Sequence, residues 1–477
     1  MHKPAPRDKI WTPHWVAMPM AEYVLADRPA HILDPAVGNG ALLKAAKTIA
    51  EQAGFSLTCY GTEIDPDVLS QAGLIDDQIA LADFLSYPFQ DKFPAIIANP
   101  PYIRHHHIAP ETKLRLQKLA YQITGNPLDG RAGLHVYFLI RALSLLSDGG
   151  RLAFIISADV CEGKFANQLW RWVTTQFALE AVVTFTPNAS PFPQADVNPV
   201  ILLIRNTHPS DTFYWAKCIC AKPWSARQWL TEHAGDDLIV TRRSLAEGVA
   251  TGLSRPPSSC LGRFYRLVDF CRVVRGVASG ANDFFFLAKA RAAQIGIPED
   301  YLVPAIVRTR DISGDEITTE TIDALDRRGR PTSLLSIRPN AHLPPPILAY
   351  LHSGERQGLP QRPLIAQRKP WYKTETRTPP PLLFAYLGRR RPRFIRNRAG
   401  VVPSSSFLCV YPNCGYEDHV DALWHILNHP NVLANIQLVA KTYGGGALKV
   451  EPRALEQLPI PADLIEHSEL PVPNMLC

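Results

Sequence analysis

The sequence lacks the features that mark membrane-spanning and metal-binding proteins. No apolar run approaches the ~18 residues that a membrane helix needs, and the best candidate, residues 134–146, is interrupted by Arg141. The first residues, Met1–Trp11, contain no apolar segment of the kind that a secretory signal requires. The nine cysteines are scattered, without recurring pairs at zinc-site spacing. We therefore expect a cytoplasmic protein that binds no metal ion and no membrane.

Charge and length say less about function but more about organisation. Only 20% of the residues are charged and the net charge is +6, which permits nucleic-acid binding without requiring it. A chain of 477 residues is too long for one ordinary core. Residues 31–205 alternate short apolar runs with helical patterns, which is typical of βαβ units and a parallel sheet. We expect a Rossmann-like α/β domain over residues 1–250.

The second half has a different composition. Residues 251–260 have linker composition, and prolines then become dense between residues 339 and 381. Proline interrupts regular helices, so this spacing favours short strands and ordered loops. We expect a mixed, loop-rich α+β domain over residues 251–477.

The segment DPAVGNG, residues 34–40, lies where a predicted strand turns into a helix. Gly38 and Gly40 permit a tight turn and a close approach of a ligand to the backbone. The dinucleotide signature G-x-G-x-x-G is incomplete, because residue 43 is Leu. A cofactor without phosphates needs no such cradle. S-adenosylmethionine is such a cofactor, and we expect Asp34 to face its positively charged end.

Acidic residues follow the next two predicted strands. Glu63 lies about 20 residues beyond the glycine turn, where it can accept hydrogen bonds from two ribose hydroxyls, and Ile64 can pack on an adenine face. Asp83 is expected to accept from the cofactor's adenine amine, with Phe84 beside the ring. Each residue alone is weak evidence, since such an Asp is often a helix cap. Their order on three successive strands favours an S-adenosylmethionine site.

The most specific motif is Asn99-Pro-Pro-Tyr102, at the end of the next predicted strand. An exocyclic amine on a base is a poor nucleophile because its lone pair is delocalised into the ring. The side-chain oxygen of Asn99 and the carbonyl of Pro100 can accept its two hydrogens and release that lone pair. Pro101 presets the direction of the Pro100 carbonyl, and Tyr102 offers a flat face to an extruded base. The motif predicts methyl transfer to an amino group.

Together these motifs resemble those of the γ-class DNA adenine-N6 methyltransferases of the Taq type, over nearly the whole chain. The resemblance includes GTEID from Gly61, ADF from Ala82, and C-terminal segments at residues 275–285 and 441–452. It implies transfer of a methyl group to N6 of an adenine flipped out of double-stranded DNA. It also implies a role in a restriction-modification or related defence system, with a separately encoded nuclease as a candidate partner.

The resemblance assigns further site residues. It places Thr12 at the methionine end of the cofactor and Phe192 opposite Tyr102, so that the two rings sandwich the adenine. The remaining expected cofactor contacts are Pro35, Ala36, Val37, Gly38 and Pro100. Relatives commonly carry an acidic or amide residue and a Tyr where Gly133 and His135 stand, so we expect His135 to be a helix-face residue rather than a catalyst.

Two basic segments are candidates for DNA contact. The first is an arginine run, which we expect to bind phosphates, consisting of Arg389, Arg390, Arg391, Arg393, Arg396 and Arg398. The second is RKPWYK, residues 368–373, which has a similar character. A solvated basic loop is the alternative interpretation of both segments.

Other functions use the same tetrapeptide. Protein glutamine-N5 and RNA guanine-N2 methyltransferases must likewise activate a nitrogen whose lone pair is delocalised. Neither class of enzyme needs a C-terminal domain of about 200 residues with a basic run. Cytosine-N4 enzymes usually carry Ser where Asn99 stands. A catalytically idle DNA-recognition subunit is the third alternative, and the intact Asn99, Pro100 and Tyr102 argue against it.

Overall fold

The computed structural model describes residues 10–473 except 75–76, 163–164, 196, 227–237, 258–262, 339–342, 376, 386, 389–391 and 444–446. The chain divides into two compact units. The first comprises residues 1–257 with 443–446, and the second comprises residues 258–442 with 447–477.

One mixed sheet forms the centre of the first unit. Its strands are β1 (His31–Asp34), β2 (Thr58–Glu63), β3 (Gln78–Leu81), β4 (Phe93–Ala98), β5 (Leu146–Ser157), β6 (Ala178–Phe185), β7 (Pro199–Arg205), β8 (Thr212–Cys218) and β9 (Leu238–Ser244). They lie in the order β3-β2-β1-β4-β5-β7-β6-β8-β9. The pairs from β3 through β5 are parallel, and so are β6 and β8. The α/β class is confirmed.

The expectation of a parallel sheet is wrong for its second half. Strand β7 lies antiparallel to both β5 and β6, and β9 lies antiparallel to β8. Residues 186–198 join β6 to β7 without a crossover helix among their described residues. A parallel partner would need such a crossover, whereas a direct connection returns the chain antiparallel.

Helices cover both faces of this sheet. They include α1 (His14–Val24), α2 (Ala41–Ala53), α3 (Pro66–Ala72), α4 (Pro110–Thr124), α5 (Leu134–Ser144), α6 (Asp159–Glu162), α7 (Ala166–Gln176) and α8 (Leu245–Thr251). Side chains alternate between the two faces of a strand. Phe154 and Ile156 of β5 pack in one buried cluster with α4, α5 and α7, whereas Ile155 packs in the other with α1 and α2. None of the helices in the described ranges is long and apolar enough to cross a bilayer.

The parallel strands gather the sequence motifs at one edge. Because β1, β2, β3, β4 and β5 run in the same direction, their carboxyl ends meet at the edge where ligands of such sheets bind. Asp34 and Glu63 are the last residues of β1 and β2, and Asn99 directly follows β4. Strand β6 runs parallel to β5 through their shared neighbour β7, so the segment that carries Phe192 starts from this same edge.

The second unit contains smaller sheets. One sheet has the order β11-β20-β16-β18-β14 and another the order β12-β15-β13-β19. The described strands of the unit are β10 (Phe264–Arg266), β11 (Cys271–Arg275), β12 (Phe286–Leu287), β13 (Leu302–Ile306), β14 (Glu316–Ile317), β15 (Ser333–Leu335), β16 (Leu382–Ala385), β17 (Leu387–Gly388), β18 (Phe394–Asn397), β19 (Val402–Pro403), β20 (Phe407–Pro412), β21 (Lys441–Tyr443, which runs into residue 443 of the first unit), β22 (Ala447–Lys449) and β23 (Pro459–Pro461). Its helices include α9 (Leu267–Phe270), α10 (Asn282–Phe285), α11 (Lys289–Ile295), α12 (Thr319–Arg327), α13 (Pro345–Arg356), α14 (Val420–Leu427), α15 (Pro430–Val439), α16 (Pro452–Leu455) and α17 (Ala462–Glu466).

The proline-dense region does not exclude helices. Pro344 is the N-cap of α13, and the helix begins with Pro345 and Pro346. The amides of Ile347 and Leu348 both donate to the carbonyl of Pro344, at 3.0 and 3.1 Å. Proline is compatible with the first turn of a helix, where its missing N–H has no intrahelical partner to lose. The cluster therefore starts a 12-residue helix.

The predicted linker at residues 251–260 is tied to the first unit over its first half. Arg243, whose side chain is fully buried, donates from Nη1 to the carbonyls of Gly252 and Arg255, at 3.0 and 2.7 Å. The hydroxyl of Ser254 donates to Glu162 of α6 at 2.5 Å. A buried guanidinium needs several acceptors, and here they are supplied by the segment that composition alone marks as a linker.

Candidate active site

The glycine turn connects β1 to α2 as expected. Gly38 and Gly40 have φ values of 57° and 77°, in the region where a Cβ would be strained. The amide of Val37 donates to the carbonyl of Thr62 at 3.1 Å, and the hydroxyl of Thr62 donates to the carbonyl of Pro35 at 2.8 Å. These bonds fix the turn to the end of β2.

Asp34 is a buried carboxylate with an unsatisfied oxygen. Its Oδ1 accepts from the amide of Ala36 at 3.0 Å, whereas its Oδ2 has no hydrogen-bond donor within the described structure. Burial, reinforced by the charge of Glu63, raises the pKa of Asp34 to about 7. An uncompensated buried carboxylate is costly. A cationic ligand group would compensate it, so the residue fits the charged end of S-adenosylmethionine.

Glu63 and Ile64 provide the next part of the site. Oε2 of Glu63 accepts from the amide of Gly38 at 2.9 Å, and Oε1 accepts from the amides of Ile64 and Asp65 at 2.9 and 3.0 Å. The carboxylate is thus held rigidly at the mouth of the glycine turn. Ile64 is 72% exposed. A ligand ring that packed on this side chain would remove its apolar surface from water, which is favourable.

The third strand end meets the expectation only in part. Oδ1 of Asp83 accepts from the amide of Leu85 at 3.0 Å, and Oδ2 lies 3.9 Å from Nη2 of Arg115. Phe84 is 1% exposed, and its ring packs against Phe138 at 5.2 Å between centroids. The expected contact between the Phe84 ring and a cofactor ring is therefore not available, because that ring belongs to the core.

Trp11 is a site residue that sequence reasoning missed. It is 40% exposed, and a Cβ added at Gly38 would lie 2.8 Å from its Cζ3 atom. The indole therefore lies directly on the glycine turn. A tryptophan immediately before Thr12 carries no motif of its own, and only the contact in space reveals it.

The side chain of Asn99 is oriented by Thr12, which precedes α1. Its Nδ2 donates to Oγ1 of Thr12 at 3.1 Å, and Thr12 is 7% exposed. The amide nitrogen is thereby occupied and the amide oxygen is left free to accept. The carbonyl of Pro101 accepts from the amide of Ile103 at 3.0 Å. No donor among the described residues forms a hydrogen bond to the carbonyl of Pro100. The two expected acceptors are thus both available.

The two expected stacking rings lie next to each other. The hydroxyl of Tyr102 donates to the carbonyl of Ile155 at 3.2 Å, and burial, together with the charge of Asp159, raises the pKa of Tyr102 above its ordinary value. Its ring centroid lies 6.3 Å from that of Phe192, with the rings tilted by 57°. A base between two parallel rings needs about 7 Å, twice the contact distance of carbon atoms. The rings must therefore separate and turn for a base to enter.

His135 lies beside this pair, on the buried face of α5. It is 3% exposed, its ring lies 6.2 Å from that of Tyr102 at 81°, and its Nε2 lies 3.0 Å from Oδ1 of Asp159. Burial opposes ionisation of Asp159, but the hydrogen bond and charge of His135 outweigh it and lower the pKa of Asp159. A Cβ at Gly133 would lie 2.5 Å from Cε1 of His135. The His135 ring therefore occupies space that only glycine at position 133 leaves open, and the two departures from the family pattern depend on each other.

The three histidines after the tetrapeptide form a short exposed turn. His105–His107 is a 3-10 helix in which none of the three side chains is buried. Partial burial and the nearby charge of Lys113 lower the pKa of His105. The described part of the chain contains no cluster of three or more His, Cys, Asp or Glu side chains arranged for a metal ion.

Part of the arginine run of the second unit is ion-paired. Arg393, Arg396 and Arg398 form ion pairs within the unit, so their charge is partly compensated by carboxylates of the fold. Their carboxylate partners are Asp315 at 3.0 Å, Asp421 at 2.7 Å and Glu316 at 2.8 Å, respectively. Arg389, Arg390 and Arg391 lie outside the described residues.

A glycine turn, acidic strand ends and Asn-Pro-Pro-Tyr at the carboxyl edge of this sheet are the features of an S-adenosylmethionine-dependent methyltransferase. Two family models agree. "Eco57I restriction-modification methylase" matches residues 49–192, and "Type II methyltransferase M.Eco57I, C-terminal domain" matches residues 259–475. The two matched domains are those of a restriction-modification DNA methyltransferase, and the resemblance to the γ-class is confirmed.

Individual relatives and structures extend this comparison. The Type II methyltransferase M.AccI of Acinetobacter calcoaceticus is 24% identical over 464 residues, 94% of this chain and 84% of the relative. M.XamI of Xanthomonas campestris pv. amaranthicola is 25% identical over 479 residues, 96% and 86% of the two chains. The Type IIL restriction-modification enzyme MmeI, solved in complex with DNA, is 13% identical with a TM-score of 0.56 over 89% of this chain. This chain spans only 62% of the MmeI chain, and the likeness shows the fold.

Proposed function

We propose that the chain methylates N6 of an adenine that is flipped out of double-stranded DNA. The observation that carries this proposal is the orientation of Asn99. Because Nδ2 of Asn99 donates to Thr12 at 3.1 Å, its side-chain oxygen is the free end of the amide. An enzyme that must accept a hydrogen from an exocyclic amine needs an oxygen there.

The cofactor half of the site fits S-adenosylmethionine. When bound, this cofactor supplies a methyl group on a positively charged sulfur. Asp34 holds the compensating negative charge, Glu63 offers its carboxylate to the ribose, and Ile64 packs on the adenine ring. Thr12, Asp83 and the backbones of Pro35, Ala36, Val37, Gly38, Phe84 and Pro100 complete the proposed contacts.

The amino group of the target is activated by two acceptors. The Asn99 side-chain oxygen and the Pro100 carbonyl each accept one of its hydrogens, which draws the nitrogen toward tetrahedral geometry and exposes its lone pair. Both groups are preorganised, one by Thr12 and the other by the fixed φ of proline. The catalytic residues proposed are Asn99, Pro100 and Tyr102.

The extruded base is held between Tyr102 and Phe192. Because their centroids are 6.3 Å apart, the rings must separate before a base can enter. Stacking of the base on the rings, which contributes ~1–3 kcal/mol per base, offsets the cost of this separation. His135, which is hydrogen-bonded to Asp159, packs edge-on against the Tyr102 ring. Adenine is favoured over cytosine because cytosine-N4 enzymes usually carry Ser where Asn99 stands.

The test is transfer of a tritiated methyl group from S-adenosylmethionine to unmethylated DNA, to RNA and to protein, followed by analysis of the labelled products. We expect label only in DNA, as N6-methyladenine. Label in protein or RNA would support a glutamine-N5 or guanine-N2 enzyme instead. Absence of label from all three, with DNA still bound, would indicate an idle recognition subunit.

A separately encoded nuclease is the proposed partner in a restriction-modification system. The support is the family, whose relatives are named Type II methyltransferases. DNA modified by the chain should resist cleavage by a nuclease encoded next to it. A genomic neighbourhood without any nuclease gene would indicate an enzyme that acts alone.

A further inference from the structure

A second basic segment of the second unit has the properties that the arginine run lacks. Residues 356–374 contain five arginines and lysines and no Asp or Glu. The ion pairs among the described residues include none of these five cations, which are Arg356, Arg362, Arg368, Lys369 and Lys373. Positive charge that is not held in an ion pair is available to an anionic partner.

The segment is anchored although it is exposed. Ile365 is fully buried, and Nη2 of Arg368 donates to the carbonyl of Ala278 at 2.6 Å while its guanidinium lies over Phe285. The ring of Trp371 lies 5.8 Å from that of Phe284. These contacts fix the backbone, so the exposed side chains between them project from a defined position. Binding then costs less ordering entropy than a loose loop would.

The exposed side chains are those that read duplex DNA. Lys369 and Lys373 are exposed ammonium groups, which suit phosphates. Gln361 and Gln367 are exposed amides, which can form paired hydrogen bonds to adenine, and Arg362 can do so to guanine. Leu364 is 44% exposed and can contact a thymine methyl group or a sugar.

We propose that residues 361–373, the recognition loop, contact the DNA duplex, with Lys369 and Lys373 on phosphates and Gln361, Arg362 and Gln367 on base edges. This assignment rests on the proposed DNA methyltransferase function. It replaces the ion-paired residues Arg393, Arg396 and Arg398 as the source of DNA affinity among the described residues.

The first experiment measures retention of sheared unmethylated genomic DNA on filters as a function of salt concentration. We expect the double variant Lys369→Gln with Lys373→Gln to bind roughly ten- to a hundred-fold more weakly, and the slope of log affinity against log salt to fall by about two. Cofactor binding, measured by calorimetry, should be unchanged. A slope equal to that of the wild type would overturn the proposal.

Two control variants remove the same charge elsewhere in the unit. Arg396→Gln with Arg398→Gln breaks ion pairs, and Arg327→Gln with Arg328→Gln removes two exposed charges; both should keep the wild-type slope. An equal loss of slope in either control would reduce the effect to net charge and contradict the assignment. The wild type itself tests the function: if it neither binds nor labels DNA, the proposed function fails before the loop is tested.

The second experiment maps methylated sites in genomic DNA treated with Gln367→Ala. We expect methylation to spread to sites that differ from the wild-type sequence at one position, because a base contact discriminates while a phosphate contact does not. An unchanged set of sites for both Gln367→Ala and Gln361→Ala would remove base reading from the recognition loop.

Discussion

The two units carry their functional information in different ways. In the first unit, short motifs at strand ends converge because parallel strands end at one edge, so Asp34, Glu63 and Asn99 could be found from neighbouring residues alone. In the second unit, three arginines of the most basic segment, Arg393, Arg396 and Arg398, are paired with carboxylates that lie far from them along the chain.

The difference concerns the range of the interactions that decide function. The position of a strand-end motif follows directly from the fold, because the topology of a parallel sheet brings the strand ends to one edge. How far the charge of an arginine is compensated depends on which carboxylates the fold brings near it. Local composition does not reveal those partners. Substitutions in the first unit should therefore alter chemistry more than stability, and substitutions in the arginine run should do the reverse.

The largest effect is expected for Asn99→Ala. Loss of one preorganised acceptor should lower kcat by about 10²–10³-fold, with little change in cofactor binding or in the melting temperature. Single-turnover transfer and calorimetry with S-adenosylmethionine measure the two properties. Parallel loss of turnover and of cofactor binding would show that Asn99 is a structural residue and would remove the contrast between the units.

A smaller effect is expected for Thr12→Val. The substitution keeps the shape but removes the hydroxyl that holds Nδ2 of Asn99, so the amide can turn and kcat should fall about ten- to a hundred-fold. Thr12→Ser should restore most of the rate. If Thr12→Val weakens cofactor binding but leaves kcat unchanged, Thr12 acts on the cofactor and does not position Asn99.

Asp34 should make cofactor binding depend on pH. Its pKa of about 7 means that it is increasingly protonated below pH 7 in the free protein. Affinity for the cationic cofactor should fall about tenfold per pH unit below pH 7. Because the pKa is raised on folding, the stability that protonated Asp34 contributes is lost as pH rises from about 4 through 7. Asp34→Asn should abolish the pH dependence of cofactor affinity, and a persistent dependence would assign it to another group.

The smallest effect is expected for Arg396→Ala. Arg396 donates to Asp421 and to the carbonyl of Pro381, and the hydrogen bond from Arg396 lowers the pKa of Asp421. Because Asp421 is half exposed, we expect a loss of about 1 kcal/mol, or roughly 2–4 °C in melting temperature. The difference should begin to shrink below about pH 4, the ordinary pKa of a carboxyl group, and should be lost as the pH falls through the lowered pKa of Asp421. DNA methylation at 25 °C should be unchanged, and a large loss of DNA affinity would restore Arg396 to the DNA-binding surface.

Much of the first unit could be predicted from sequence, and the exceptions have physical causes. The strands that carry Asp34, Glu63 and Asn99 were predictable because apolar runs and turn residues are local. The antiparallel strand β7 was not, because its direction depends on how residues 186–198 return to the sheet. The burial of His135 was not predictable either, because it depends on the space that Gly133 leaves.

The second unit was less predictable. Pro344 was interpreted as a breaker, although proline at a helix start promotes the helix that follows. The partners of Arg396 and Arg398 come from β14 and α14, and no local pattern connects these elements. The recognition loop could not be preferred to the arginine run from sequence, because only the fold shows that three arginines of that run are ion-paired.

The central claim is that Asn99, held by Thr12, presents an oxygen to the amino group of adenine in DNA. The most direct test is nucleoside analysis of genomic DNA from cells that lack other adenine methyltransferases and express either the wild type or Asn99→Ala. We predict N6-methyladenine with the wild type and its near absence with the variant at equal expression. N4-methylcytosine instead, or equal N6-methyladenine with both proteins, would contradict the claim.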